Sequence, residues 1–160
     1  MMRNTGSGMA RARPADWPRR AQGGGIDTVI TSVNHTQPVT VEIIRAAGSS
    51  SGADTFVYLA VSNSRTGVAA RDVINGFARA PGEQDRIDLS AIDANTATAA
   101  NDAFTFIGTG AFTAAGQVRV QGLGGPNAVI VEVNVNADLA ADMQIFVNLQ
   151  TTMVAGDFIL

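Results

Sequence analysis

Residues 52–61 read GADTFVYLAV, in which a glycine and an aspartate lead directly into a run rich in β-branched and aromatic residues. Glycine allows the backbone angles of a tight turn, and Val, Phe and Tyr are enriched in strands. The same order occurs earlier, where residues 23–30 read GGGIDTVI and Asp27 precedes the apolar run. The sequence therefore predicts turns that carry an aspartate and lead straight into a strand.

Short apolar runs of the same kind continue along the chain, separated by the turn residues Gly, Asn, Asp and Ser. The runs are IDTVITSV (26–33), VTVEII (39–44), RDVINGF (71–77), FTFIG (104–108), QVRVQG (117–122), NAVIVEVNV (127–135) and MQIFVNL (143–149). Their length and spacing predict an all-β fold, either a sandwich or a roll. We expect at most two short helical turns, at residues 89–93, where Ser90 could cap the entry, and at the alanine-rich residues 98–102.

The charge balance limits the classes of partner. The chain has 160 residues, which is room for one domain, and it contains no cysteine and no lysine. From residue 23 onward six arginines stand against thirteen carboxylates. This balance argues against a nucleic-acid-binding body, because phosphate binding needs clustered positive charge. Hard cations, which take oxygen ligands, are the more natural partner.

The first 22 residues differ in composition from the rest. Five of the eleven arginines lie there, together with Pro, Gly and Trp17, and apolar periodicity is absent. We expect residues 1–22 to form a disordered basic arm. The sequence has no run of about 18 apolar residues that could span a bilayer, and its start lacks the apolar segment of a secretory signal. Neither stable membrane insertion nor export through an N-terminal signal peptide is expected.

Two catalytic patterns occur only in part. Residues 48–52 spell GxSxG, which in a nucleophile elbow places Ser50 on a sharp turn between a strand and a helix. Here the residues that follow predict a strand, and the single histidine, His35, precedes the serine instead of following it. One histidine also cannot supply the paired ligands of a zinc protease. The sequence therefore predicts that this chain is not an enzyme.

Calcium offers one reading of the Gly–Asp turns. Calcium-binding nonapeptide repeats follow the pattern GGxGxDxUx, in which U is a large apolar residue. The first copy keeps Gly23, Gly25, Asp27 and Val29, and Asp54 stands at the aspartate position of a second, imperfect copy. Ordinary β-turns use glycine and aspartate as well. The pattern by itself is compatible with both a calcium-binding turn and an ordinary β-turn.

A second group of oxygen-bearing side chains lies in the segment NVNADLAAD. Its members are Asn134, Asn136, Asp138 and Asp142, with the alternate spacing by which EF-hand loops aim oxygens inward. The segment lacks the glycine and the terminal glutamate of an EF-hand loop. A calcium site and a plain polar hairpin are both compatible with this pattern.

Several segments in a fixed order resemble one known family. The segments are GADTFVY (52–58), RDVINGF (71–77), DRIDLSAIDAN (85–95), AFTFIG (103–108), GQVRV (116–120), NADLAADMQI (136–145) and AGDFIL (155–160). In this order they resemble the C-terminal domain of serralysin-type and other RTX, hemolysin-type calcium-binding proteins that are exported by type I secretion. The resemblance covers roughly residues 52–160, and GGGIDTVITSV is similar to an upstream RTX repeat.

The resemblance implies the end of a calcium β-roll packed on a β-sandwich-like capping domain. Residues 23–51 would be a degenerate RTX-like β segment, and residues 52–160 the serralysin-type domain. The implied Ca²⁺ ligands include Asp54 at a calcium turn, with Gly52 supplying a carbonyl or the turn itself. Asp72 and Asp85 would border the last calcium turns.

The resemblance also implies a secretion signal. The sequence ends on Asp157, Phe158, Ile159 and Leu160, one acidic residue followed by apolar ones, which is similar to the ending that a type I secretion ABC transporter recognises. An extracellular location without an N-terminal signal peptide would follow.

These observations predict a non-catalytic, calcium-binding C-terminal module that supports export and calcium-linked folding. The alternatives are a metal-independent β structural or adhesion module, and a truncated remnant of a secreted protease or toxin.

Overall fold

The computed structural model describes strands at residues 19–22, 28–30 and 40–44, and the whole of residues 52–123 and 127–160. Within these ranges it contains eleven strands: β1 (Arg19–Gln22), β2 (Thr28–Ile30), β3 (Thr40–Ile44), β4 (Thr55–Val57), β5 (Asp72–Asn75), β6 (Arg86–Asp88), β7 (Thr105–Phe106), β8 (Gln117–Gly122), β9 (Ala128–Asn134), β10 (Met143–Asn148) and β11 (Phe158–Ile159). The predicted all-β class is confirmed.

The first six strands form a parallel two-sheet roll. Strands β1, β3 and β5 pair in parallel in one sheet, and β2, β4 and β6 pair in parallel in the other. The chain passes from one sheet to the other with each strand, so every pair of consecutive strands completes one coil. In the second sheet Thr28 lies beside Thr55, and Thr55 lies beside Arg86.

The last two strands continue the same pattern. Strand β10 pairs in parallel with β5, placing Ile145 beside Asp72, and β11 pairs in parallel with β6, placing Phe158 beside Ile87. They therefore form a fourth coil. Strands β7, β8 and β9 lie in the sequence between the third and fourth coils. In space they extend the sheet of β1, β3 and β5 beyond β10. The sheets have the orders β1-β3-β5-β10-β9-β8-β7 and β11-β6-β4-β2.

The core lies between the two sheets and is built from register neighbours. In the four-stranded sheet Phe56, Ile87 and Phe158 stand side by side, and all three are buried. Opposite them, Ile74, Val147 and Val129 form a row in the seven-stranded sheet. Burying a side chain of this size stabilises the fold by roughly 1.5–3 kcal/mol. Stacked apolar rows thus fix both the register and the pairing of the coils.

Strand β9 is buried on both faces. Val129, Val131 and Val133 point into the core, while Ile130 and Glu132, on the opposite face, are each only 5% exposed. Phe112, from the segment that joins β7 to β8, lies over that outer face against Arg119 of β8. The sheet therefore has a small second layer outside the main core.

The helical turns form at other positions than expected. The two short 3-10 helices are Val61–Asn63 and Ala155–Asp157, and residues 89–93 and 98–102 form turns instead. The reason is local: the side chain of Asp88 accepts the N–H of Ser90, and that of Asp93 accepts the N–H of Asn95. Such aspartate turns compete with the helix for main-chain donors.

The predicted boundary of the basic arm also needs correction. Strand β1 pairs with β3 from Arg19 to Gln22, so the sheet begins inside residues 1–22. A strand with two arginines lacks the apolar signature of the other strands. Residues 1–18 lie outside the described residues. Neither of the two short helices in the described part of the chain is long and apolar enough to cross a membrane.

Candidate functional site

The aspartates of two successive turns are stacked on each other. Because Thr55 lies beside Arg86, the residues that precede them, Asp54 and Asp85, hold equivalent places on the second and third coils. The N–H of Asp54 donates to Oδ1 of Asp85 over 2.9 Å, and the N–H of Arg86 donates to the carbonyl of Asp54 over 2.8 Å. Both aspartates are buried, at 2% and 1% exposure. This stack joins the two coils at the start of the four-stranded sheet.

The second oxygen of Asp85 closes a loop. Its Oδ2 accepts the N–H of Ala78 over 2.7 Å, and the N–H of Asp85 in turn donates to the carbonyl of Ala78. Both carboxylate oxygens therefore face the positive ends of main-chain N–H dipoles, which compensate the buried charge. The arrangement makes Asp85 a structural cap for residues 78–85 and for the turn at Asp54.

Asp72 lies in the other sheet and points inward. It begins β5, is completely buried, and shares its face of the strand with the core residue Ile74. Its N–H donates to the hydroxyl of Ser64 over 2.8 Å, and that hydroxyl donates to the carbonyl of Gln144. Burial raises the pKa of the Tyr58 phenol well above its ordinary value, and the negative charge of Asp72 raises this pKa further. Asp72 and Asp54 thus lie at strands of different sheets.

The connection between β9 and β10 brings the four predicted oxygen-bearing side chains together. Asp142 accepts the N–H of Val135 at Oδ2 and the side-chain amide of Asn136 at Oδ1, both over 2.8 Å. Oδ1 of Asn136 accepts the N–H of Asp138, and Oδ1 of Asp138 accepts the N–H of Ala140. Each of these side chains stabilises the turn itself.

Asn134 completes this hairpin from the end of β9. Its side-chain amide donates to the carbonyl of Ala140 over 2.5 Å. Its Oδ1 is buried and has no hydrogen-bond partner among the described residues. The segment 134–142 is therefore a hydrogen-bonded polar hairpin in which Asn134 supplies one unsatisfied oxygen.

The last four residues of the sequence are built into the fold. Nε of Arg79 lies 3.0 Å from Oδ1 of Asp157, whose Oδ2 accepts the N–H of Val154 over 2.7 Å. Phe158 is 6% exposed, and its ring stacks on that of Phe106 with 5.1 Å between centroids. Both sheets thus hold this segment, β6 through main-chain pairing and β7 through the aromatic contact.

A family model described as peptidase M10 serralysin C terminal matches residues 19–160, which include all eleven strands. The chain belongs to this family. Among the curated proteins, none matches the sequence of this serralysin C-terminal domain. Its structure is similar to the solution structure of the AlgE6R3 subunit of the Azotobacter vinelandii mannuronan C5-epimerase, with 16% identity and a TM-score of 0.45. That alignment covers 86% of this chain and 69% of the other.

The eight predicted calcium ligands do not form one ligand set in this serralysin C-terminal domain. Asp54 and Asp85 are stacked at the start of the four-stranded sheet, whereas the other group, Asn134, Asn136, Asp138 and Asp142, lies in the hairpin between β9 and β10. The carboxylate oxygens of Asp85 and Asp142 already accept N–H groups. At the hairpin and at Asp85 these oxygens hold main-chain turns, and calcium binding there stays a prediction.

Gly52 and Asp54 lie at a further turn for which calcium is predicted. Asp54 is a buried carboxylate at the head of a parallel coil, and its chemistry suits a hard cation. Its two oxygens alone cannot complete a calcium shell. Asp27, His35 and Ser50 lie outside the described residues, as do residues 45–51, which precede this turn.

Some residues of the site escaped the sequence analysis. Arg79 contacts Asp157 across 78 positions, and no local pattern announces such a pair. Arg119 and Glu132 lie directly opposite each other on β8 and β9, with Nε and Oε2 2.7 Å apart. This second pair had a signal: VRV and VEV each place one charge between two valines, which is typical of cross-strand partners.

Proposed function

We propose that this chain is the non-catalytic C-terminal module of a protein exported by type I secretion, and that calcium stabilises its roll. The observation that carries the proposal is the stack of Asp54 and Asp85 at equivalent turns of parallel coils, within a chain that belongs to the serralysin C-terminal family. The proposed division remains at residue 51, between a degenerate RTX-like roll segment, which with β1 begins at Arg19, and the β domain at 52–160; the family model spans both.

Calcium is placed at the turn of Gly52 and Asp54. Asp54 is a buried carboxylate at a turn, and carboxylate oxygens are ligands that calcium prefers. When bound, calcium would take the Asp54 carboxylate and main-chain carbonyls of the turn as ligands. In this arrangement Asp85 positions the turn by accepting the N–H of Asp54.

Export is assigned to the segment 157–160, with an ABC transporter of the type I class as partner and the extracellular space as destination. The segment supports this assignment by its chemistry, one acid followed by three apolar residues. A non-catalytic role is supported by the whole sequence, which has one histidine and no cysteine, so paired-histidine zinc sites and cysteine nucleophiles are excluded.

The first test is thermal unfolding of the purified chain, monitored by circular dichroism in three buffers that contain EGTA, 10 mM calcium or 10 mM magnesium. With the Kd of about 10⁻⁴–10⁻³ M that is typical of extracellular sites, calcium should stabilise the chain by about 1–3 kcal/mol, and magnesium should not. Asp54→Asn should remove most of this gain. Asp138→Asn, in the hairpin, is the matched control and should keep it.

A metal-independent β module is the second candidate, and the N–H bonds of Asp85 favour it, because they hold two coils together without a cation. Identical melting curves in EGTA and calcium would decide for this candidate. A gain from calcium that Asp54→Asn retains would instead move the ion away from the proposed turn.

A further inference from the structure

Strand β11 fixes the segment 157–160 at the edge of the four-stranded sheet. The N–H of Leu89 donates to the carbonyl of Ile159 over 2.9 Å, and Phe158 lies beside Ile87 in the parallel register. Leu160 packs against the core. A partner that reads these side chains cannot reach Phe158 while β11 stays paired.

The contact with Arg79 also shields the carboxylate of Asp157 from a partner. Nε of Arg79 donates to Asp157, its Nη1 donates to the carbonyl of Thr152 over 3.3 Å, and the Asp157 side chain is only 10% exposed. The loop that carries Arg79 is itself closed by Asp85 through Ala78. Arg79 is therefore positioned by the third coil to hold the fourth.

We infer that folding of the roll withdraws the segment 157–160 from its partner, and that Arg79 is the positioning residue that controls this withdrawal. The inference rests on the proposed export function for the identity of the partner. The segment is available before the fourth coil forms or after β11 detaches, and it is unavailable once Arg79 and Phe106 have engaged it. Local detachment of a short terminal strand needs less free energy than global unfolding.

Digestion of the purified 160-residue chain by a carboxypeptidase, with mass spectrometry of the products, reads this accessibility without any exporter. Removal of Phe158 is the informative step, because Phe158 is buried. The wild-type chain should lose Phe158 slowly, and Arg79→Ala should lose it about tenfold faster, since charge-assisted hydrogen bonds hold the segment. Arg65→Ala, which removes an exposed arginine of another loop, is the matched control and should digest at the wild-type rate.

A second variant tests the inference independently of Arg79, and spectroscopy checks that each variant is folded. Phe106→Leu removes the aromatic contact from the other side of the segment and should also speed release of Phe158, while far-UV circular dichroism and the melting temperature report whether the coils persist. Rescue of the wild-type rate by Arg79→Lys would assign the effect to the charge. Wild-type rates in both Arg79→Ala and Phe106→Leu, or a wild-type chain that loses Phe158 as fast as it does in urea, would overturn the inference.

Export provides the second arm, in a bacterial host that carries a type I exporter. Export of Arg79→Ala should rise relative to wild type and relative to Arg65→Ala when folding and export compete. Deletion of residues 157–160 tests the proposed function separately, because export that survives this deletion removes the segment from the signal. The digestion result would still stand in that case, so the two failures are distinguishable.

Discussion

At the scale of single residues, Asp85 links two neighbouring turns through hydrogen bonds. Its two oxygens accept the N–H groups of Asp54 and Ala78 at 1% exposure. Asp85→Ala leaves both donors without an acceptor in a buried site, at a cost of about 1–3 kcal/mol each. We expect urea denaturation to show a loss of about 2–5 kcal/mol in the free energy of unfolding.

Asp138→Ala is the matched control for this prediction. Its carboxylate also accepts a main-chain N–H, from Ala140, but in an exposed hairpin where water can replace the bond. We expect a loss of less than about 1 kcal/mol. Equal losses in the two variants would contradict the role given to Asp85.

The sequence could not assign this role. Asp85 meets the N–H of Asp54 across 31 positions, and only the parallel register brings them together. The sequence predicted that Asp54 and Asp85 are both turn residues and both calcium ligands. It could not tell which main-chain N–H groups the Asp85 carboxylate accepts, because one of them comes from the neighbouring coil.

At the scale of strands, a polar row crosses the outer face of β8, β9 and β10. Arg119 and Gln144 both contact Glu132, with Nε and Nε2 each 2.7 Å from its carboxylate. The side-chain exposures of Arg119 and Glu132 are 18% and 7%, so water screens the pair poorly. Glu132→Ala would leave Arg119 largely buried without its partner, which we expect to cost about 3 kcal/mol.

A double-mutant cycle measured by urea denaturation tests this row. The cycle consists of Arg119→Met, Glu132→Leu and the combined variant. Each single variant should lose stability, and the combined variant should recover most of that loss, because apolar pairs of similar volume tolerate such sites. Gln121→Ala is the control, because Gln121 lies at an exposed position of β8, the strand that carries Arg119. Additive losses for Arg119 and Glu132 would contradict a coupled pair.

The length of the apolar run around a strand, more than the strand itself, explains which elements the sequence predicted. Strands β8, β9 and β10 lie in long runs, and even the two-residue strand β7 lies in the run FTFIG and was identified. Strands β1, β6 and β11 lie in no such run and were missed. They exist because parallel neighbours supply their hydrogen bonds, which no local pattern reveals.

At the scale of the whole molecule, the four coils enclose a single titrating phenol. Tyr58 is the only tyrosine, and the chain has neither lysine nor cysteine, so no other side chain ordinarily titrates near pH 10. Its hydroxyl is buried between the sheets and has no hydrogen-bond partner among the described residues. Its raised pKa has two causes, burial first and the charge of Asp72 second. The alkaline stability of the fold should therefore depend on this residue.

The sign follows from proton binding. Between the unfolded pKa of about 10 and the higher folded value, the unfolded chain has lost the Tyr58 proton and the folded chain keeps it. Stability is thus fully present below pH 10 and falls as pH rises toward the folded pKa. Tyr58→Phe should abolish this fall and, by removing an unpaired buried hydroxyl, should leave stability at pH 7 equal or higher. Urea denaturation from pH 7 to 11, with tyrosinate absorbance of the wild-type chain, measures both effects. If the free energy of unfolding still falls at alkaline pH in Tyr58→Phe, another part of the molecule causes the fall.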